Sequence, residues 1–217
     1  MEAKHIIARR TALELKNGEL VNLGIGIPLL AAEYIPKGVE VIFQSENGMD
    51  GMGHEVIGEH NRNFTNSSGQ SVTIQPYGSC SDSAFSFCLI RGGHVHCAVL
   101  GILEVDQHGS IANYIVPGKM VPGMGGAMDL VTGAQRVIVV TTHTDKNGKS
   151  KIICECTLPL TGVECCDLII TELAVIEVTP QGLKLIEIAD NTTIEEVTAK
   201  TGAPLILAKK IGTFSTT

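Results

Sequence analysis

Three stretches of this sequence put reactive or ligand-cradling groups into turns. The first is Gln44-Ser45-Glu46-Asn47-Gly48-Met49-Asp50-Gly51, where a carboxylate stands among small polar residues and glycines directly after an apolar run. A glutamate is ordinarily an anion at neutral pH, so here it can act as a base, a metal ligand or a nucleophile toward an activated carbonyl. A single Glu in a turn is more often simply solvated, and the segment by itself leaves both readings open. Asp50, His54 and Glu55 follow at no spacing that favours a metal.

The second stretch is Gly24-Ile25-Gly26-Ile27-Pro28, whose glycines can bring backbone N–H groups close to an anion where a helix begins. The third glycine of a dinucleotide fingerprint is replaced by Leu29, which argues against a nicotinamide cofactor. The third stretch runs from Pro117-Gly118-Lys119-Met120-Val121-Pro122 into Gly123-Met124-Gly125-Gly126-Ala127-Met128-Asp129. Donors exposed beside a helix start suit a phosphate or an oxyanion formed at a carbonyl. The loop lacks the Gly-Lys-Ser/Thr ending of a nucleotide triphosphatase. Either glycine cluster also reads as a tight turn where two elements pack closely. The histidines are scattered and no G-x-S-x-G elbow occurs, so no Ser-His-Asp hydrolase assembles.

The elements that must position these turns alternate between helix and strand, which implies an open, largely parallel α/β sheet covered by helices. Ile6, Ile7, Leu13 and Leu15 give an opening helix ended by Asn17-Gly18; a strand over Leu20-Val21-Asn22-Leu23 follows. Pro28 suits the start of a short helix, and Val39 to Phe43 reads as the strand that delivers Glu46. Residues 44–71 read as an ordered loop region. A helix from Ser81 or Asp82 to Leu89, a strand from His94 to Val99, a hairpin turning at Gln107-His108-Gly109 and a helix near Ala127 come next. Strands then follow at 136–141, 168–170, 174–178 and 183–188, with a last helix over 193–200 capped by Thr192 or Thr193. No repeat or linker divides residues 1–217, so one domain is expected. In such a sheet ligands gather at the carboxyl ends of the strands, where all three stretches fall.

Composition narrows the classes. With 44% hydrophobic and 18% charged residues the chain is a folded globular protein. A net charge of -7, with no basic stripe, argues against nucleic acid, and the scarcity of aromatics, 4% with no Trp, weakens any reading that needs stacking platforms. No apolar run approaches the roughly 20 residues of a membrane span, and the N-terminus shows no signal-peptide core, so a cytoplasmic location is expected. Seven cysteines there are no disulfide framework. Cys80, Cys88 and Cys97 read as small buried residues. Cys154, Cys156, Cys165 and Cys166 have no knuckle spacing and read as packing, the first two alternating in a strand, so no metal is expected.

Taken together, Phe43-Gln44-Ser45-Glu46-Asn47-Gly48, Pro117-Gly118-Lys119-Met120 and Gly123-Met124-Gly125-Gly126-Ala127-Met128-Asp129-Leu130 resemble the β subunit of two-subunit CoA-transferases acting on 3-oxo acids and short fatty acids. Asn22-Leu23-Gly24-Ile25-Gly26-Ile27-Pro28 fits as well, and the likeness spans nearly the whole chain. It is nearest to butyrate/acetate–acetoacetate CoA-transferases. The resemblance implies an α partner, an α2β2 assembly, acyl-CoA and short carboxylic acids as substrates, and no resident cofactor, CoA being carried covalently. It places Glu46 as the nucleophile, Asn113, Gly125 and Gly126 as donors to the carbonyl oxygen, and Asn22, Gly24 and Gly26 along the CoA and acyl pocket. An acyl-CoA hydrolase and a non-catalytic metabolite-binding regulator on a similar sheet are the competing readings.

Overall fold

The computed structural model describes residues 1–58, 61, 63–118 and 123–217. Lys119, Met120, Val121 and Pro122 of the long glycine loop therefore lie outside the described residues, as does His60. The elements run α1 (Ala3–Ala12), β1 (Leu20–Leu23), α2 (Ile27–Leu30, continued by a 3-10 turn over Ala31–Tyr34), β2 (Ile42–Ser45), β3 (Met49–Glu55), β4 (Val72–Cys80) and α3 (Ser83–Arg91). They continue with β5 (Cys97–Gly101), β6 (Glu104–Asp106), β7 (Ile111–Ala112), α4 (Ala127–Gly133), β8 (Val137–Val140) and β9 (Ile152–Ile153). The last are β10 (Leu168–Ile170), β11 (Ala174–Thr179), β12 (Gly182–Ala189), α5 (Ile194–Lys200) and β13 (Leu205–Phe214).

Ten strands form an open sheet in the order β13-β12-β11-β10-β8-β5-β1-β2-β3-β4, and β7-β6-β9 form a small second sheet. The centre of the large sheet, from β10 through β8, β5 and β1 to β2, is parallel throughout. Antiparallel pairings flank it on both sides, through β3 and β4 at one end and β11 at the other. The expected α/β class holds, with the parallel character concentrated where the sheet is covered on both faces.

The central strands show why both faces are covered. Val137 and Val139 enter one core with Ile90, Leu130 and Ile169, on the side of α3 and α4. Their neighbours Ile138 and Val140 enter the other, with Ile6, Ile7 and Ile170 on the side of α1. Side chains alternate across a strand, so only a continuous apolar run can supply two cores at once. Arg10 on α1 is 6% exposed, with its guanidinium on Glu187 at 2.7 Å and Glu14 at 2.8 Å. A cation that deeply buried is tolerable only when paired in this way.

Several expected boundaries move. The strand before Glu46 begins at Ile42, because Gly38 in a left-handed turn (φ +89°) and a Val39 N–H donating to Pro36 at 3.0 Å hold the preceding residues in a turn. Residues 44–71 are not all loop: Met49–Glu55 pairs with Val72–Cys80 as a bulged antiparallel ribbon. A Cβ on Gly53 would lie 2.1 Å from Thr73 Oγ1, and one on Gly51 2.8 Å from the Gly78 Cα. Here glycine permits close strand approach, and the bulges erase the period-2 pattern that would have announced a strand. The strand expected over 94–99 is Cys97–Gly101, since His94 still belongs to the α3 terminus, its N–H donating to the Leu89 carbonyl at 3.0 Å. The α1 helix stops at Ala12 and leaves Leu13 exposed. Cys97 is buried, whereas Cys80 and Cys88 are exposed on β4 and α3. Cys154 and Cys156 lie beyond the end of β9 instead of alternating along a strand. Among the described residues no cluster of His, Cys, Asp and Glu is arranged to hold a metal, and no helix is long and apolar enough to cross a membrane.

Candidate active site

Glu46 opens the short turn between β2 and β3, and its neighbours pin that turn. The Gly48 N–H donates to the Ser45 carbonyl at 2.9 Å, and the Ser81 N–H donates to the Gly48 carbonyl at 2.8 Å. The Asn47 amide donates to the Thr65 carbonyl at 2.7 Å, and the Ser67 N–H to Ser45 Oγ at 2.9 Å. Gly48 has φ +119°, a backbone region that L side chains rarely adopt, and a Cβ there would lie 2.1 Å from the Ser81 carbonyl oxygen. The turn thus admits only glycine at that point, and Glu46 is held two residues away.

From below, the side chain is set by β1. Asn22 lies opposite Gln44 in the parallel β1–β2 register. Its Nδ2 donates to Gln44 Oε1 at 2.7 Å and to Glu46 Oε2 at 3.2 Å. Gln44 Nε2 in turn donates to Ser86 Oγ on α3 at 2.8 Å. Asn22, Gln44 and Ser86 are each 1% exposed, so a dry relay of amides runs from α3 to the half-buried carboxylate. Asn22 Oδ1 is left without a partner among the described residues. That cost is consistent with electrostatics, because reversing the amide would set an oxygen against the Glu46 carboxylate. Sequence reading missed Gln44 and Ser86 as site-builders. The signal was there: an uncharged polar residue within an apolar strand and another within an apolar helix.

Above Glu46 lies a cavity of about 360 Å³, bordered by Asn22, Gly24, Glu46, Asn113, Gly125 and Gly126. Gly126 packs directly on the carboxylate arm: a Cβ on it would lie 3.2 Å from Glu46 Cγ and 3.2 Å from the Phe87 ring. Among the described residues, neither the Gly125 nor the Gly126 N–H donates to a backbone or side-chain acceptor. Asn113 is clamped by Thr161, which accepts from its N–H at 3.1 Å and donates to its Oδ1 at 2.7 Å. This leaves Nδ2 with one long contact, 3.4 Å to the Gly101 carbonyl. The cavity therefore brings a carboxylate together with under-used N–H donors, an arrangement suited to acyl transfer at a carbonyl.

The sequence matches the coenzyme A transferase family over residues 4–200. The chain belongs to this family. It is 51% identical to the beta subunit of the acetate CoA-transferase of Haemophilus influenzae, over 96% of this chain and 93% of that one. It is also 44% identical to one subunit of the probable succinyl-CoA:3-ketoacid coenzyme A transferase of Bacillus subtilis, covering 97% and 98% of the two chains. Its fold superposes with a TM-score of 0.80 on the acyl-CoA transferase YdiF apoenzyme of Escherichia coli O157:H7, at 24% identity. That match covers 98% of this chain but 43% of YdiF, so the chain spans less than half the length of that protein.

The two glycines expected along the pocket of this CoA-transferase chain border different spaces. Gly26 borders an adjoining groove of about 800 Å³ instead of the Glu46 cavity, and Ile25 stands between the two spaces. Gly26 caps α2 at φ +86°, and that backbone angle is what requires glycine. Gly24 lines the cavity, but its N–H donates to the Val99 carbonyl at 2.8 Å and is not free to meet an anion. Its missing side chain instead permits close approach to β5, since a Cβ would lie 3.2 Å from Val99 O.

Proposed function

We propose that this chain is the β subunit of a two-subunit enzyme that moves CoA between a short-chain or 3-oxo acyl-CoA and a carboxylate such as acetate, butyrate or acetoacetate. The carboxylate of Glu46 attacks the thioester carbonyl, giving a glutamyl–acyl anhydride and CoA thiolate. The thiolate then attacks the glutamyl carbonyl, releasing the first carboxylate and leaving CoA in thioester linkage to Glu46. A second carboxylate reverses both steps. One acyl–sulfur bond is consumed and one formed, so the exchange needs neither ATP nor a resident cofactor.

The observation that carries this reading is the meeting of the Glu46 carboxylate with Asn113 Nδ2 and the unengaged Gly125 and Gly126 N–H groups around one cavity. Carboxylate is a weak nucleophile, and an oxyanion donor is typically worth about 10²–10³ in rate. Asn22 aims the nucleophile through its 3.2 Å contact to Oε2. The Asn22–Gly24 loop and the groove beyond Gly26 offer room for the acyl group and the pantetheine arm. The relative named as a beta subunit supports an α partner; the α2β2 assembly is part of the proposal on the family resemblance alone, and acyl-CoA as substrate fits a cytoplasmic location.

Mixing the chain and its α partner with acyl-CoA should give a CoA-sized adduct on Glu46 by mass spectrometry, lost in Glu46→Gln. Repeated absence of the adduct under turnover overturns the proposal. Release of CoA into water in preference to transfer onto acetate would instead identify a hydrolase, and ligand binding indifferent to Glu46→Gln without turnover would identify a regulator.

A further inference from the structure

A second cavity, of about 390 Å³, opens beside the first and shares Ile25, Gly101 and Asn113 with it. Lys151, immediately before β9, lines this second space, together with Thr141 and Thr142 beyond the end of β8. Lys151 Nζ donates to Thr141 Oγ1 at 3.1 Å and to Thr142 Oγ1 at 2.9 Å. An ammonium has three donors, and the third meets no acceptor among the described residues. Both hydroxyls are neutral, and the salt bridges among the described residues do not include this lysine.

The two carboxylates whose charge acts on Lys151 bind backbone N–H groups instead of Nζ. Glu172 Oε2 accepts the His143 N–H at 3.0 Å, and Asp145 Oδ1 accepts the N–H groups of Asn147 and Lys149 at 2.8 Å. Burial already pulls the Lys151 ammonium below its ordinary pKa, despite attraction from those two carboxylates. A half-buried cation held by hydroxyls toward a cavity is a poor structural clamp but a good receiver of an anion.

We infer that Lys151, with Thr141 and Thr142, forms an anion subsite that receives a charged group of the substrate remote from the reacting carbonyl. This rests on the Glu46 reading, which fixes where the reacting carbonyl lies. The shared chemistry is a carboxylate or phosphate oxygen accepting from the ammonium, which the two hydroxyl oxygens orient while their own protons go to the carbonyls of Ile102 (from Thr141, 3.2 Å) and Thr144 (from Thr142, 2.9 Å). It has two sources: the phosphates of CoA, or the distal carboxylate of a dicarboxylic acyl group.

Kinetics of the enzyme assembled with its α partner separate them. Lys151→Met and Lys151→Gln, the latter keeping a donor for the hydroxyls, are compared with wild type on acetyl-CoA against acetyl-pantetheine and on succinate against butyrate. Loss of one charge-assisted hydrogen bond should raise KM about tenfold or more for the member of one pair that bears the extra anion. KM for its partner and kcat should stay within about twofold, and Lys151→Arg should recover most of the loss. An effect on acetyl-CoA alone assigns the phosphates, and an effect on succinate alone assigns the distal carboxylate. Equal effects on all four substrates, or none, overturn the subsite. Equilibrium dialysis of CoA and of succinate decides the matter independently of turnover. If wild type forms no Glu46 adduct, the transferase reading fails, yet weakened binding of either ligand by Lys151→Gln still supports the subsite and unchanged binding of both still refutes it.

Discussion

Replacing Gly48 with alanine tests whether a single backbone position holds the nucleophile in place. Holding an L residue at φ +119° costs about 1–3 kcal/mol. The new Cβ would lie 2.1 Å from the Ser81 carbonyl oxygen, so the turn and the start of α3 must part by about 1 Å to restore ordinary contact. That separation strains the 2.8 Å hydrogen bond from the Ser81 N–H to Gly48, worth about 1 kcal/mol. Together these predict a loss of about 2–4 kcal/mol in urea unfolding of the purified protein. Glu46 lies two residues from the strained point, and a displacement near 1 Å at a reacting group costs about 10² in rate. Formation of the CoA adduct, followed by quenched-flow mass spectrometry, should slow by that order at a temperature where the variant remains folded. A variant with unaltered adduct kinetics and less than about 1 kcal/mol of lost stability would refute the claim that this glycine sets the position of Glu46.

Three other perturbations probe separate links. Ser86→Ala leaves Gln44 Nε2 buried without its 2.8 Å acceptor, and should cost about 1–3 kcal/mol in stability and slow adduct formation by loosening Asn22; unchanged values for both would break the relay from α3 to Glu46. Gly126→Ala puts a Cβ 3.2 Å from Glu46 Cγ and from Phe87, so the adduct should form about tenfold more slowly with little change in unfolding, whereas unaltered kinetics would show that Glu46 can yield. Burial pushes the His143 pKa down from 6.5 to about 4, so between those values the unfolded chain binds a proton that the folded chain does not. Stability should therefore fall as pH drops through that window, by up to about 3 kcal/mol, and a urea-midpoint profile just as steep in His143→Gln would rule the histidine out as the cause.

What could be read from the sequence follows from how each element declares itself. The runs at Val137–Val140 and Leu168–Ile170 supply both faces of the parallel centre and are unbroken apolar stretches. The cap of α5 was equally visible, with Thr193 accepting the Glu196 N–H at 3.2 Å. By contrast, β3 and β4 are irregular in register and rich in glycine, and β13 breaks register against β12 and carries Lys209-Lys210 mid-strand. Their strand character comes from pairing partners distant in sequence, which no local period records. In the site, Glu46 lies in a conspicuous glycine turn after an apolar strand, yet its surroundings in sequence left a solvated role open, and the resemblance of the whole motif singled it out as the nucleophile. Gln44 did not stand out, since its role depends on β1 and α3 arriving on either side of it.

The same contrast explains why the carboxylate sits where it does. At β2 the sheet changes from parallel to antiparallel pairing: β1 runs alongside it in parallel and β3 returns against it. A parallel continuation would have carried the chain away over a crossover of about a dozen residues or more. The hairpin instead turns back at once, so Glu46 is presented at the edge where β1 and β5 also end, beside Asn22 and Gly101. Carboxyl ends of parallel strands are where α/β sheets leave space for ligands. The antiparallel return contributes rigidity to that space, because Gly48 is fastened to Ser81 and Asn47 to Thr65. A nucleophile as weak as a carboxylate depends on that fastening more than a thiolate would, since positioning and oxyanion donors must supply what intrinsic reactivity does not. Loosening the hairpin should therefore depress the rate of adduct formation far more than it weakens CoA binding.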